Sequence, residues 1–268
     1  MKGVTFVGLI IAVFLLPSVA RPATATIGAV KDNTIFQSNA GNSAGGSAGV
    51  FSGSNGQGSP RRGLIAFDVA GNVPAGSIIT GAELTLYLGN AANTNVQSIG
   101  LHKLTKDWGE GAAGSSSLTI GGSGAGFPAS SGDATWDDAE YDSVSWSSPG
   151  ATGDFNTVAS ATASVGGPTD TPFTWSSTAA LVDDVQSWLD DPASNFGWAL
   201  INENEAANQT VKAFYSREAT QNSSGVSNSL DPAWRPRLTI TYQSIAVPEP
   251  SVWLLTAVGP LAFFLKRR

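Results

Sequence analysis

Residues 82–88 read AELTLYL, and this stretch decides the fold. Its apolar side chains Leu84, Leu86 and Leu88 fall on one face of an extended chain, whereas Glu83 and Thr85 fall on the other. A period of two is what a half-buried antiparallel strand requires. The segment therefore predicts a strand with one face in a hydrophobic core.

The same alternation recurs along the chain, in residues 64–69 (LIAFDV) and 237–242 (RLTITY). Further strand candidates are residues 27–36, 96–105, 198–202 and 211–216. Gly- and Ser-rich stretches at residues 39–59, 112–131 and 147–167 predict long surface loops. About eight short strands with such connections predict an all-β fold, an antiparallel β-sandwich or jelly roll.

One segment has the period of a helix instead. In residues 178–189 (TAALVDDVQSWL) the apolar positions recur every three or four residues. Ser176 or Ser177 supplies the N-cap, and an Asp-Asp-Pro sequence ends the run. We expect a short amphipathic helix packed across one end of the sandwich, with Asp183 and Asp184 facing solvent.

Composition narrows the class of protein. The chain has 268 residues, 31 glycines and no cysteine, which excludes disulfides and thiolate chemistry. Residues 26–250 contain nine Lys and Arg against 21 Asp and Glu, a net charge of −12. Such a domain repels nucleic acid, so we predict no nucleic-acid partner.

The N-terminus has the order of a secretory signal peptide. A lysine at position 2 is followed by an apolar run over residues 4–16 and then by small residues, with Ala20 and Ala25 as alternative cleavage positions. An uncleaved anchor helix is the other interpretation, but the run is shorter than the ~20 residues of a bilayer span. In either case the chain is exported.

The C-terminus carries a second targeting pattern. It consists of Pro248-Glu249-Pro250, the apolar residues 251–265, and the cations Lys266, Arg267 and Arg268. Cations directly after an apolar helix stay on the cytoplasmic side, which places the domain outside the membrane. About 15 apolar residues suit a temporary hold better than a permanent span. The predicted division is a signal peptide (1–25), a β-sandwich domain (26–245) and a sorting tail (246–268).

This tail resembles the PEP-CTERM sorting signal in the order of its three parts. The resemblance implies an exosortase-type processing enzyme as partner, cleavage near the Pro-Glu-Pro sequence, and delivery from the membrane to the cell surface. An ordinary tail anchor is the alternative.

The domain resembles the DNRLRE-type domains, which are similar to the family-96 carbohydrate-binding β-sandwiches. The segments that carry the likeness are residues 31–35 (KDNTI), 62–69 (RGLIAFDV), 73–87, 104–110 (LTKDWGE), 134–136, 146–155, 214–218 (FYSRE) and 235–242 (RPRLTITY). The resemblance implies a binding module on surface proteins, with extracellular polysaccharide, including acidic ones such as alginate, as partner.

Signals for catalysis are weak. His102 is the only histidine, and its place inside a predicted strand favours a strand-face residue over a general base. The chain has no G-x-S-x-G, H-E-x-x-H or phosphate-loop motif. We therefore predict a non-enzymatic glycan-binding or matrix-associated protein. The alternatives are a secreted lyase or glycosidase, which would use paired carboxylates, and a purely structural coat protein.

Two sets of residues are candidates for binding. The acidic cluster Asp133, Asp137, Asp138, Glu140 and Asp142 offers oxygen ligands for calcium, although its spacing does not match the EF-hand loop, and a solvated acidic loop or direct ligand contact are the alternatives. The candidates for glycan binding are Trp108, Trp136, Trp146, Arg62 and Arg217, and Trp175 and Trp234 also adjoin predicted loops where they could line a sugar site. Arg61, Lys103, Lys106, Arg235 and Arg237 complete a set of cations that either gathers on one face to pair with an acidic polysaccharide or discourages association at strand edges.

Overall fold

The computed structural model describes residues 22–116, 119–226 and 228–244, in which the chain forms fourteen β-strands and one α-helix. The strands are β1 (Pro22–Phe36), β2 (Asn42–Ser43), β3 (Gly49–Ser54), β4 (Pro60–Phe67), β5 (Ile78–Ala91), β6 (Gln97–Lys103), β7 (Phe127–Pro128), β8 (Asp138–Glu140), β9 (Val144–Ser145), β10 (Ala161–Val165), β11 (Thr171–Trp175), β12 (Trp198–Asn202), β13 (Lys212–Tyr215) and β14 (Arg237–Gln243). The helix α1 is Ala179–Asp190, and single-turn 3₁₀ helices lie at Ile120–Ser123, Pro149–Ala151, Pro192–Ser194 and Pro232–Trp234. Residues 1–21 of the predicted signal peptide and the whole predicted tail lie outside the described residues.

The strands pair antiparallel in two layers. One layer contains the first half of β1, then β14 and β5. β5 also pairs with β11 and, near its end, with β13, which in turn pairs with β3. The other layer runs from the second half of β1 through β4, β12 and β6 to β10. β1 joins the layers, because residues 22–28 pair with β14 whereas residues 29–36 pair with β4. The prediction of an antiparallel all-β fold with one helix is confirmed.

The main core lies between these layers. Leu84, Leu86 and Leu88 of β5 are buried in it, as the alternation predicts, and they meet Leu238 and Ile240 of the neighbouring β14. Each such side chain contributes about 1.5–3 kcal/mol when it is fully buried. The strands with the clearest alternation therefore form the centre of the fold.

A second core covers the outer face of β4. Ile65 and Phe67 point into the main core, but Leu64 and Ala66 on the opposite face are also buried, in a cluster with Trp108, residues 134–151 and part of β12. The sequence pattern predicts a strand with one solvated face. The structure differs because tryptophan-bearing loops fold back over that face.

The helix is confirmed with two corrections. Its N-cap is Thr178, whose Oγ1 accepts a hydrogen bond from the Leu181 amide at 3.0 Å, rather than Ser176 or Ser177. Asp184 does not face solvent: it is 6% exposed and accepts hydrogen bonds from Ser160 and Trp198. The helix thus docks on the sheet through a buried carboxylate as well as through its apolar stripe.

All three stretches predicted as loops contain strands, and the one within residues 112–131 is the two-residue β7. β3 lies within residues 39–59 and is buried along its whole length, and β10 lies within residues 147–167 as an edge strand beside β6. Their small residues, Gly, Ser and Ala, carry little hydrophobic periodicity, so the sequence gives no strand signal there.

The start of β1 bears on the predicted domain boundary. Pro22 pairs with Gln243 and Ala25 with Ile240, so strand pairing begins four residues before position 26. Across the described ranges, no helix has both the length and the hydrophobicity needed to cross a membrane.

Candidate functional site

The three tryptophans predicted to stack on sugar are core residues. Trp108 is 1% exposed, and Trp136 and Trp146 are also buried in the second core. The indole N–H of Trp108 donates to the Phe196 carbonyl, and that of Trp146 donates to the Thr135 carbonyl. These rings therefore present no open face for a ligand.

Arg62, which was also predicted to bind glycan, makes contacts that stabilise the second core. Its guanidinium makes two parallel hydrogen bonds with Glu205, at 2.9 and 2.6 Å, and lies over the Trp136 ring, 5.2 Å from its centre. A third hydrogen bond reaches the Gly150 carbonyl at 2.6 Å. The planar guanidinium of Arg62 therefore links β4 to Glu205 and to the loop that contains Trp136 and Gly150.

The carboxylates of the acidic cluster predicted to bind calcium do not point to a common centre. Asp133 is buried and accepts from the amides of Ala113 and Ser130, so it organises its own loop. Asp138 accepts from Ser145, and Glu140 from Ser143, whereas Asp137 and Asp142 are exposed. Within the described ranges, no three of these five carboxylates bring oxygens within 4.8 Å of one another.

His102 lies on β6, as predicted, and is buried. Its Nδ1 is 2.9 Å from the Asn156 carbonyl oxygen, and its Nε2 is 3.3 Å from Glu203. Its ring also packs edge-on against Phe155. Both ring nitrogens thus have partners within the fold.

Three of the predicted cations meet at a groove of about 520 Å³. Arg217, Arg235 and Arg237 line it, together with residues 26–29 of β1, Pro232 and Pro236. The groove forms because Arg237 pairs with Gly28 across β1 and β14, where the glycine leaves a gap in the row of side chains. A Cβ built on Gly28 would meet no atom within 4 Å beyond its chain neighbours.

The three guanidinium groups differ in how many of their hydrogen-bond donors are already used by other protein groups. Arg235 uses Nε and Nη2 to hold the Ala219 carbonyl, at 3.1 and 2.9 Å. Arg237 is exposed, and its side chain has no hydrogen bond or ion pair with another described residue. Free guanidinium donors beside an open groove favour an anionic ligand, because Arg pairs with carboxylates through parallel hydrogen bonds.

The sheet beside the groove contains few carboxylates, and an aromatic side chain lies near the groove-lining residues. Glu83 is the only acidic residue in the four segments that build this part of the layer, residues 22–28, 78–88, 171–175 and 237–243. Trp234, between the groove-lining Pro232 and Arg235, is partly buried and stacks on Tyr87 with ring centres 5.3 Å apart. Of the loop-adjacent tryptophans, Trp234 is the one that lies beside Arg235 and Arg237, whereas Trp175 is fully buried.

Arg217 links the groove to a cluster of carboxylates. It makes a two-pronged contact with Glu110, at 2.7 and 2.6 Å, and a 2.8 Å contact with Glu218, while its backbone amide donates to Asp32. Burial and the neighbouring Glu218 raise the pKa of Asp32 well above its ordinary value. Burial raises the pKa of Glu218 to about 7, although Arg217 opposes the shift.

Sequence reasoning missed this cluster as a site. Asp32, Glu110 and Glu218 lie in the KDNTI, LTKDWGE and FYSRE segments, so the residues that carry the family resemblance meet in space. Comparison of the chain with protein-family models and with curated proteins found no match.

Proposed function

We propose that this protein is an exported surface module that binds acidic polysaccharide in the groove lined by Arg217, Arg235 and Arg237. The observation that carries the proposal is the convergence of these three arginines on one open groove. A uronate chain presents a carboxylate on every sugar ring, which matches guanidinium donors spaced along a groove.

Two features of the surroundings support a sugar ligand. Trp234 lies between the groove-lining Pro232 and Arg235 and is only partly buried, and aromatic faces stack on the apolar faces of sugar rings. Threonine hydroxyls of Thr26 and Thr239, 3.3 Å apart, continue from the groove across the sheet and offer hydrogen bonds to sugar hydroxyls.

Delivery to the surface belongs to the same proposal. The signal peptide brings the chain across the membrane, and the Pro248-Glu249-Pro250 tail holds it there until an exosortase-type enzyme processes it. An outer-surface location supplies the polysaccharide that the groove binds.

The test is retention of the full chain, in mild detergent, on immobilised polyuronate and on a neutral glucan, with release of sugar measured in the same mixtures. We expect retention on polyuronate only, no released sugar, and loss of retention at high salt because the contacts are ionic. Release of sugar would indicate the lyase or glycosidase, whereas self-association without retention would indicate the coat protein.

Variants locate the binding surface. Arg237→Glu reverses a charge in the groove, and Gly28→Leu fills the groove without changing charge. Arg237→Glu should weaken binding at least tenfold, since one lost charged hydrogen bond corresponds to about 1.5–3 kcal/mol. Gly28→Leu should weaken binding by a similar factor, because its side chain occupies space that the ligand needs. Lys106→Glu is the control, because it makes the same charge change at a residue that does not line the groove. Equal losses in Arg237→Glu and Lys106→Glu would reject the groove.

A further inference from the structure

Three carboxylates from distant parts of the chain converge beside Arg217. Asp32 lies on β1, Glu110 on the loop after β6, and Glu218 just after β13. One oxygen from each lies within 4.8 Å of the other two. Such a meeting is unusual, because like charges repel most strongly where water is excluded.

Backbone and side-chain hydrogen bonds hold these groups in place. The Asp32 amide donates to Glu110 at 2.8 Å, and the Arg217 amide donates to Asp32 Oδ2 at 2.8 Å. The Asn33 side chain donates to the Glu110 carbonyl at 2.9 Å. The carboxylates are therefore fixed before any ligand arrives, as a binding site requires.

The charges do not balance. Three ionised carboxylates and one guanidinium leave a net charge of −2. The donors of Arg217 reach Glu110 and Glu218 Oε1, but Asp32 Oδ1 and Glu218 Oε2 are buried without a hydrogen-bond partner. Asp32 is 1% exposed, so its free oxygen has no access to bulk water. Buried polar atoms in this state call for a proton or a cation.

We propose that Asp32, Glu110 and Glu218 bind one calcium ion. Calcium takes oxygen ligands at 2.3–2.6 Å, so two ligands of one ion lie up to about 5 Å apart, which the observed spacing satisfies. A charge of +2 cancels the excess of the cluster. The side chains of Glu110 and Glu218 are 16% and 19% exposed, which leaves room for water to complete the coordination shell.

The burial that raises the pKa of Asp32 and of Glu218 agrees with this assignment. Without a cation, the cluster is relieved by taking up protons; with calcium bound, the carboxylates are ionised. The site lies at Asp32, Glu110 and Glu218 rather than in the Asp133–Asp142 loop, and it does not depend on the groove binding a glycan.

The experiment measures binding of calcium alone to the full chain, purified in mild detergent and stripped with chelator, by calorimetry and by equilibrium dialysis at pH 7.5. We expect one ion per chain, and a melting temperature about 5–10 °C higher at a calcium concentration one hundred times the Kd. No saturable binding at millimolar calcium would overturn the proposal and leave protonated carboxyls as the state of the cluster.

Matched variants decide where the ion binds. Asp32→Asn and Glu218→Gln each keep the side-chain shape and remove one charge, and each should weaken calcium binding about a hundredfold. Asp137→Asn with Asp142→Asn removes two exposed charges from the acidic loop and should leave binding unchanged. Binding that survives Glu218→Gln but is lost in the loop variant would contradict the assignment.

A folding control accompanies each variant. Asp32→Asn and Glu218→Gln should melt, without calcium, within a few degrees of the wild type, because they relieve repulsion in the empty cluster. If Asp32→Asn does not fold, Glu218→Gln, whose side chain is partly exposed, gives the same test. Glycan retention is measured separately, so failure of either proposal is seen without the other.

Discussion

Replacing Asp184 with alanine tests whether a buried carboxylate docks α1 on the sheet. Its Oδ2 accepts hydrogen bonds from Ser160 at 2.5 Å and from the Trp198 indole at 2.8 Å, and the Lys103 ammonium lies 3.7 Å from Oδ1. The variant leaves two buried donors without their acceptor and removes the ion-pair partner of Lys103, which still donates to Ser187. Removing one partner of such an arrangement costs about 3–5 kcal/mol.

The chain provides its own control in Asp183. This neighbour lies on the same helix and carries the same charge, but it is exposed. Asp183→Ala should change the free energy of unfolding by less than about 0.5 kcal/mol. The pair of variants therefore separates burial and hydrogen bonding from net charge and helix propensity.

Thermal unfolding followed by near-ultraviolet circular dichroism is the assay, because Trp188 and Trp198 pack with ring centres 4.5 Å apart next to Asp184. At about 2–4 °C per kcal/mol for a domain of this size, Asp184→Ala should lower the melting temperature by roughly 6–20 °C. Equal shifts for Asp183→Ala and Asp184→Ala would refute the reasoning.

Three further predictions concern the core, the N-terminus and the tail. Trp136→Ala should lower the free energy of unfolding by about 3–5 kcal/mol in a denaturant titration, yet leave polyuronate retention per folded molecule unchanged, since the ring is buried under Arg62. Signal cleavage should follow Ala20, because cleavage after Ala25 removes four residues paired with β14; intact mass of the exported protein checks this, and a mature N-terminus at Thr26 would contradict it. Replacing Pro248-Glu249-Pro250 with alanines should leave an unprocessed, membrane-retained precursor on immunoblots, and normal processing would reject the sorting signal.

The sequence is informative about elements with a strong hydrophobic period. β5, β14 and α1 follow from alternation or helical spacing, because Leu, Ile and Trp at regular intervals specify both the element and its buried face. β3 escapes prediction because both of its faces are buried, so its residues do not alternate in hydrophobicity. β10 escapes because its buried Ala161 and Ala163 differ little in hydrophobicity from the exposed Thr162 and Ser164. The second core also escapes, since Trp136 and Trp146 enter it from loops with no period.

The candidate sites show a different limit. Asp32 and Glu110 are 78 residues apart, and Glu110 and Arg217 are 107 apart, so no local spacing indicates that they meet. The acidic loop attracted a calcium prediction because its carboxylates are neighbours in sequence. The three carboxylates meet through contacts between distant segments: the Arg217 amide after β13 donates to Asp32 of β1, and the Asp32 amide donates to Glu110 in the loop after β6.

The net charge of −12 does not argue against an acidic ligand once the position of each charge is known. At physiological ionic strength, exposed charges farther apart than about 8 Å are largely screened, so a ligand in the groove responds to the charges that line it. Those are the guanidinium groups of Arg235 and Arg237, together with Arg217, whose charge is offset by its contacts with Glu110 and Glu218. The strand segments beside the groove contain one carboxylate, Glu83. Net charge instead governs approach from a distance, so added salt should speed association of a polyuronate while it weakens the final complex. If a polyuronate instead associated fastest at the lowest salt, attraction by the groove arginines would outweigh the long-range repulsion from the net charge. That result would contradict the reasoning.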